Sequence, residues 1–515
     1  MSKFFKLKNL LIVILILLFT FGCAKKTEET QNVEQSKVEE APRIEKLTIY
    51  HFNDFHCAFL PTKNTEEEGL PKWSGAATLA GYIKKIREED KNAIIAFAGD
   101  IFLQSPLDKL STGEFAVEIM NKLNPDIATI GNHEFDYGRE RFDELRQKIK
   151  FPLVSANLLD AESNELLVEP YKVLTTKNNV RIMFIGLFPL TGKSYTEKNY
   201  NVKVEDALNT VKKYVKESTD KADAVVILSH IGFEEDVILS EKLGKNSGVH
   251  LIIGGHSHTL VESIDNNLPV PVVQANFNGT HLGKVSMEFD VTSKTVKKMD
   301  YELIPTYVDK IQIDEEINEL VDKEKEKIAE LFEVIATTEK PLSNVSRFGE
   351  TPLGNFAVDA LVDAFKADAA FFSSKMIRNS IPGPEITKND IYEAFPFESG
   401  IYQVQMTGEN IKKMLEYYLN KRKDRYLHIP HTLSYTYEVS REKISISELL
   451  FKKKPINLKN KYTVIFDERS AQDAEKYYKA EKSKKIGESF AEEYIKYLKA
   501  KKKYKPYPEG RAKEK

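Results

Sequence analysis

Cysteine is almost missing from this sequence: among 515 residues only Cys23 and Cys57 occur. No disulfide framework is therefore available, and stability must come from a buried core. An excess of one charge is also absent, since 75 Lys and Arg face 78 Asp and Glu for a net charge of -3. That balance excludes a basic coat for nucleic acid, and no nucleic-acid polymer is expected as a partner. Beyond residue 21 no stretch approaches the ~20 apolar residues that span a bilayer. What remains is an ordinary globular composition with 41% hydrophobic residues. Hydrophobic cores stop growing near roughly 250–300 residues, so a chain of this length predicts two domains.

The N-terminus differs from the rest. Lys3, Lys6 and Lys8 precede an apolar run from Leu10 to Phe21, followed by Gly22-Cys23. That order predicts a signal peptide over residues 1–23. Thr20-Phe21-Gly22-Cys23 resembles a bacterial lipobox, with Thr20 where Leu is commoner, and makes Cys23 the candidate lipidation site; a plain N-terminal anchor is the alternative. Either reading predicts an exported protein held at a membrane, facing periplasm or cell surface. Residues 24–44, rich in Lys, Glu, Thr and Gln, lack apolar periodicity and predict a disordered tether.

From residue 45 to 310 short apolar runs alternate with helix-like segments. Leu47–Phe52, Ala93–Phe97, Ile127–Ile130, Ala224–Leu228 and Val249–Ile253 read as buried strands, Ala76–Arg87 and Arg141–Ile149 as amphipathic helices. The alternation predicts an α/β layered domain. Apolar residues from Ile313 to Phe332 at helical spacing predict one linker helix within 311–340. A smaller α+β domain should follow over 341–515, with helices at Leu353–Phe365 and Glu409–Tyr418 and strands at Tyr402–Met406, Leu433–Val439 and Tyr462–Phe466. Its Lys-rich tail from Lys482 reads as a solvated helix with a frayed end.

The chemistry lies just past the ends of the five N-terminal runs, in Asn53-Asp54-Phe55-His56, Gly99-Asp100, Gly131-Asn132-His133-Glu134, Ser229-His230 and Gly254-Gly255-His256-Ser257-His258. Ligands gather where loops leave the carboxyl ends of strands, so groups roughly 200 residues apart can meet. In Asp54-x-His56 and His256-x-His258 an extended backbone would aim both side chains the same way. Imidazole, carboxylate and amide oxygens suit two divalent ions, whether Zn, Mn, Co or Fe. Asp54, His56 and His258 can form one site and Asn132, His230 and His256 another, with Asp100 as bridge. Two ions ~3.5–4 Å apart activate water and stabilise a leaving oxygen at phosphorus. His133, with Asp136 three residues on, is a candidate general acid. Glu134 reads as structural, and Cys57 as pointing away from the ligands.

These motifs resemble the calcineurin-like metallophosphoesterases, and Gly-Asn-His-Glu-Phe-Asp resembles the 5′-nucleotidase/UDP-sugar hydrolase branch. The likeness continues through Thr351-Pro352-Leu353-Gly354-Asn355, Ile377-Arg378-Asn379-Ser380-Ile381, Glu385-Ile386-Thr387 and Phe395-Pro396-Phe397. It implies a four-layer α/β/β/α sandwich followed by a C-terminal domain that binds the nucleoside. It also implies Arg378 and Arg347 as substrate contacts and Phe397 as one aromatic of a base clamp; a guanidinium fork suits phosphate, and an aromatic face stacks on a base.

Two departures bear on substrate choice. Arg469 stands where the second clamp aromatic is expected, and Ser373-Ser374-Lys375-Met376 replaces a run of glycines before Arg378. The expected activity is hydrolysis of nucleoside monophosphates. UDP-sugars, cyclic nucleotides, other phosphate esters, a sulfur ester, or nucleotide binding without catalysis stay open.

Overall fold

The computed structural model describes residues 41–62, 73–103, 105–190, 199–344, 349–421, 426–440 and 443–515. Residues 42–515 form one compact unit. No helix among the described residues is long and apolar enough to cross a membrane.

Two sheets face each other in the N-terminal region. The first runs Thr295–Pro305, His281–Asp290, Ile44–Phe52, Ile94–Phe97, Ile127–Thr129, Leu153–Val154; the second runs Val272–Val273, Leu251–Ile253, Ala224–Ser229, Arg181–Leu187, Tyr171–Thr175. Side chains alternate across each strand, so Leu47 and Ile49 meet Phe184, Val226 and Ile253 between the sheets. Tyr50 and Phe52 point outward onto the helices Ala76–Glu89 and Glu114–Leu123. Met183, Val225 and Ile227 likewise point outward, against Val211 and Tyr214 of Ala207–Ser218 and Leu239 of Phe233–Leu243. The result is the four-layer α/β/β/α sandwich.

All five anticipated strands form, and five of the eleven strands in these sheets were thereby foreseen. The long hairpin His281–Asp290/Thr295–Pro305 escaped notice. Its outer strand buries no residue fully, yet Met299, Tyr301 and Leu303 alternate with Asp300 and Glu302, and Met299 and Tyr301 pack half-buried on the core, so the signal was present in the sequence.

The expected long linker helix is shorter. It spans Glu315–Glu326, is capped by Asp314, and gives way to a 3-10 turn at Ala329–Phe332 and a strand at Val334–Thr338. Ile317, Val321 and Ile328 belong to the N-terminal core, and Asp314 N–H donates to Ala77 C=O. Gly81 makes this approach possible, because a Cβ there would lie 2.3 Å from Gln312 O.

The C-terminal region packs two cores. One surrounds the helix Pro352–Phe365, whose Phe356 meets Phe395 and Tyr494; the other lies among Ile401–Thr407, Lys461–Asp467 and the helix Gly408–Asn420. Its lysine-rich end is not frayed. Helix Phe490–Lys501 buries Phe490, Tyr494 and Leu498 along one face and leaves its lysines in water. Lys503–Tyr504 then pairs with Val334–Thr338, and Ala512–Glu514 with Leu433–Val439. Between them Arg511, 4% exposed, makes a fork-on-fork pair with the fully buried Asp359 at 3.0 and 2.5 Å. Lysine content concealed a tail whose anchors are an apolar helical face and one arginine.

Candidate metal centre

The five loops converge at one end of the sandwich. His230 ends the strand Ala224–Ser229, and Asp100, Asn132 and His256 follow neighbouring strands. Extended alternation does not aim the ligand pairs. Asp54, His56, Asp100, His256 and His258 have φ of 51, 50, 66, 75 and 57°, so each is held in the left-handed region. Such backbone is strained for residues with a side chain and persists only where surrounding bonds fix it. Here Asp54 and His56 N–H donate to Gly99 and Asp100 C=O, and His256 N–H donates to Asp54 Oδ2 at 2.9 Å.

Glycines let the loops close. A Cβ on Gly131 would lie 2.1 Å from Asp100 Oδ1 and 2.7 Å from His230 Nε2, and one on Gly99 2.8 Å from His230 Nδ1. Glu134, expected to be structural, accepts N–H groups from Gly131 (2.7 Å), Ile101 (2.8 Å) and Asp100 (3.2 Å) and so ties two loops together.

Three groups of side chains stand close enough to hold an ion: Asp54, His56 and His258; Asp100, His230 and His256; and His56, Asp100 and His133. His56 Nε2 lies 2.9 Å from His258 Nε2, and Asp54 Oδ1 lies 3.2 Å from the latter. Asp100 Oδ2 reaches both sides, 3.0 Å from His230 Nε2 and 3.8 Å from His56 Nε2. Asn132 Oδ1 lies 2.7 Å from His256 Nδ1.

Supporting bonds decide what these groups offer. His56 Nδ1 sits 3.1 Å from Phe102 C=O and His230 Nδ1 2.6 Å from Ala98 C=O, which places the proton on Nδ1 and leaves Nε2 with a lone pair. His230 Nε2 is buried and finds no hydrogen-bond partner among the described residues, although a carboxylate oxygen lies beside it. A lone pair facing a carboxylate in a dry site calls for a cation between them. The carboxylates favour positive charge at this nitrogen, as a proton or as a metal ion: burial opposes charge on His230, yet Asp100 and Asp54 outweigh it and lift the imidazole to about 10. Burial and the nearby His230 instead hold His256 down to about 3. Asp54 remains well below the carboxylate range because the surrounding imidazoles overcome its burial. Buried nitrogen and oxygen donors in mutual contact fit divalent transition ions.

Beside this cluster His133 Nδ1 lies 2.9 and 3.0 Å from the two Asp136 oxygens. Burial lowers the His133 pKa, but Asp136 and Asp100 raise it by more, so the net direction is upward. Arg378, from the C-terminal region, brings Nη2 within 3.5 Å of His133 Nε2 and stacks its guanidinium 4.8 Å from the Phe397 ring centre. Phe397 is half-buried, 6.5 Å from the His133 ring, and faces the cluster instead of filling the core. Cys57 is buried, with Sγ 3.6 Å from Ile101 C=O, and belongs to none of the three groups. Cys23 and Arg347 lie outside the described residues.

Sequence reasoning missed Gln274 and Asn53. Gln274 donates to Gly255 C=O at 2.7 Å and accepts from the Ser257 hydroxyl and Thr259 N–H, bracing the loop of both its histidines. Asn53 Nδ2 donates to Asp54 Oδ2 at 2.7 Å, and its Oδ1 accepts from Ala275 N–H. Gln274 follows the strand Val272–Val273 directly, so the strand-end signal extended to it.

Comparison with known proteins accords with this geometry. Residues 47–260 match the calcineurin-like phosphoesterase family and residues 334–482 the 5′-nucleotidase C-terminal domain. The chain is 29% identical over 421 residues to "Endonuclease YhcR" of Bacillus subtilis, covering 75% of this chain and 34% of that protein. It is 27% identical over 447 residues to a "5′-nucleotidase-related protein" of Glossina morsitans morsitans, covering 77% and 79%. The chain thus spans about a third of the first relative and nearly four fifths of the second. A solved 5′-nucleotidase precursor from Thermus thermophilus superposes with a TM-score of 0.80 at 25% identity, over 91% of this chain and 99% of that one. The chain thus joins a calcineurin-like phosphoesterase domain to a 5′-nucleotidase C-terminal domain, the organisation of phosphoester hydrolases that use two divalent metal ions.

Proposed function

We propose that the protein is a 5′-nucleotidase, releasing phosphate from nucleoside monophosphates at a two-metal centre. Asp54, His56 and His258 would hold one ion and Asn132, His230 and His256 the other, with the Asp100 carboxylate, 3.0 Å from His230 Nε2 and 3.8 Å from His56 Nε2, in reach of both groups. The ions, once bound, supply Lewis acidity to the phosphoryl oxygens and to an attacking water.

The rest is the work of the chain's own side chains. Arg378 neutralises phosphoryl charge, and its fork also orients the group in line for displacement. As the phosphorus–oxygen ester bond breaks, His133 gives its proton to the departing ribose oxygen. Asp136 holds the imidazole in the required orientation. Phe397 offers a face to the base.

One juxtaposition supports nucleotides over simpler esters: a guanidinium and an aromatic ring lie 4.8 Å apart, with the guanidinium 3.5 Å from His133. Phosphate release is the test, with metal-stripped enzyme reloaded with Mn, Zn or Co and offered AMP, UDP-glucose, a 2′,3′-cyclic nucleotide and an aryl phosphate. AMP should lead in kcat/KM. An aryl phosphate turned over equally well would refute base recognition.

The reading extends to the chain's organisation. Residues 45–310 carry the metals, 311–340 connect, and 341–515 bind substrate; the signal peptide over 1–23 and the tether after it, which ends by Arg43 because the strand Ile44–Phe52 already pairs with His281–Asp290, hold the enzyme outside a membrane, lipidated at Cys23. Cys23→Ala should release activity from the membrane fraction.

A further inference from the structure

Asp108 has no part in the reaction described above, yet its carboxylate is fully buried on the short helix Pro106–Lys109. Burial of such a group is costly unless donors reach its oxygens. Oδ2 accepts from the Tyr137 hydroxyl at 2.7 Å, and Oδ1 from Ala116 N–H at 3.4 Å. The first bond is short and the second long, so the tyrosine is the better partner. Burial lifts the Asp108 carboxyl to about 6, with Tyr137 pulling the other way. Burial and the Asp108 charge push the phenol up in turn, so Tyr137 keeps its proton and donates it.

This bond holds the turn that carries the acid. Asp136, whose oxygens lie 2.9 and 3.0 Å from His133 Nδ1, sits between two aromatic anchors that enter different cores. Phe135 is fully buried against the rings of Phe142, Phe188 and Tyr200. Tyr137, only half-buried, meets Phe102 edge-on at 5.9 Å before its hydroxyl reaches Asp108. An edge-on ring contact tolerates sliding, whereas a short hydrogen bond at the far end of the ring does not. Asp136 N–H donates to His133 C=O at 3.0 Å, so a shift of Tyr137 passes to both members of the acid pair. The same brace touches the metal loops, because Phe102 C=O lies 3.1 Å from His56 Nδ1.

We propose that Tyr137 and Asp108 are positioning residues for the acid: their buried hydrogen bond, opposite the Phe135 anchor, fixes the turn so that Asp136 faces His133 Nδ1. The kinetic consequence rests on His133 acting as the acid of the nucleotidase reading; the consequence for geometry does not.

The variants Tyr137→Phe, Asp108→Asn and the double variant test it in the zinc-loaded full chain. Tyr137→Phe should lower kcat with AMP about tenfold, the scale of one buried hydrogen bond, and leave KM and metal content unaltered. With p-nitrophenyl phosphate, whose leaving group needs no proton, the loss should stay under about twofold. Asp108→Asn retains an oxygen that accepts from the phenol and should remain within about threefold of wild type with AMP. The double variant should match Tyr137→Phe within about twofold, since linked residues are not additive. The His133 Nδ1–H proton resonance, assigned by its loss in His133→Gln, reads the bond to Asp136 without substrate. It should shift in Tyr137→Phe and hold its place in Asp108→Asn.

Equal losses on both substrates, full AMP turnover in Tyr137→Phe, or an unmoved His133 resonance in that variant would each overturn the proposal. Should Tyr137→Phe fail to fold, Asp108→Leu removes the acceptor without leaving a buried charge and is held to the same outcomes. If the wild type hydrolyses no AMP, the nucleotidase reading falls, and the His133 resonance still decides the role of the pair.

Discussion

The metal-bearing loops and the substrate-facing surface use opposite strategies. His230, Asp54 and Asp100 are essentially fully buried, locked by backbone bonds and pressed against glycines, whereas Arg378 and Phe397 are half-buried and meet each other and His133. A displacement at phosphorus tolerates little error in ligand geometry, so the first surface has no slack. On the proposed reading the second meets the variable part of a substrate, and its residues can change without disturbing the metal loops. Arg469 is exposed at the start of helix Glu468–Tyr478.

The sharpest way to break this contrast is His230→Ala. Loss of the buried imidazole should remove an ion and lower kcat by about 10³-fold or more on every substrate, aryl phosphates included. Metal content and phosphate release check it. A substrate-selective loss would erase the division of labour.

Arg511 provides the counterpart. Its removal leaves Asp359 buried and uncompensated except by His431, whose Nδ1 lies 3.0 Å away. Arg511→Ala should cost about 3–5 kcal/mol, the usual penalty for half a buried pair. A lowered urea midpoint with metal content unchanged at zero denaturant is the expected result.

His133→Ala should then lower kcat by about 10²-fold with AMP, at the low end for a lost general acid. The loss should shrink with p-nitrophenyl phosphate, whose leaving group needs no proton. Equal losses on both would assign His133 to charge stabilisation alone.

How far the sequence disclosed each region depends on the same contrast. The metal loops were legible because strand, glycine and ligand recur in short order, as in Ala93–Phe97 before Gly99-Asp100. Their aim was not: alternation suggested extended backbone, but tertiary bonds fold Asp54 and His56 into the left-handed region. In the C-terminal region the helix Pro352–Phe365 and the strand Leu433–Val439 fell where apolar spacing put them. The docked tail did not, because Arg511 and Asp359 lie 152 residues apart and their pairing leaves no local pattern.

Acid should act on both regions, through one histidine in each. His51 and His428 are fully buried, neither ring nitrogen finds a partner among the described residues, and each packs on a glycine, Gly283 or Gly354, where a Cβ would lie 2.0 Å from the ring. Burial holds both at about 3, against 6.5 when exposed. The unfolded chain therefore binds protons first, so stability is highest above 6.5 and declines as pH falls toward 3. At pH 5 each should cost about 2 kcal/mol. His428→Leu, remote from the ions, should flatten part of the urea-midpoint profile between pH 7 and 5. An unaltered slope would mean that protonation of His428 takes no part in acid unfolding.

The smallest effect discriminates most finely. Phe397→Ala removes a stacking face, and stacking contributes roughly 1–3 kcal/mol per base, so KM for AMP should rise about tenfold. Because Phe397 also backs the Arg378 guanidinium, some loss of phosphate recognition should accompany it, and an aryl phosphate measures that share separately. Phe397→Leu keeps the apolar backing without the aromatic face. If stacking governs, Leu behaves as Ala with AMP and as wild type with the aryl ester. If Leu restores both substrates, Phe397 serves only to steady Arg378, and base recognition must come from another part of the surface.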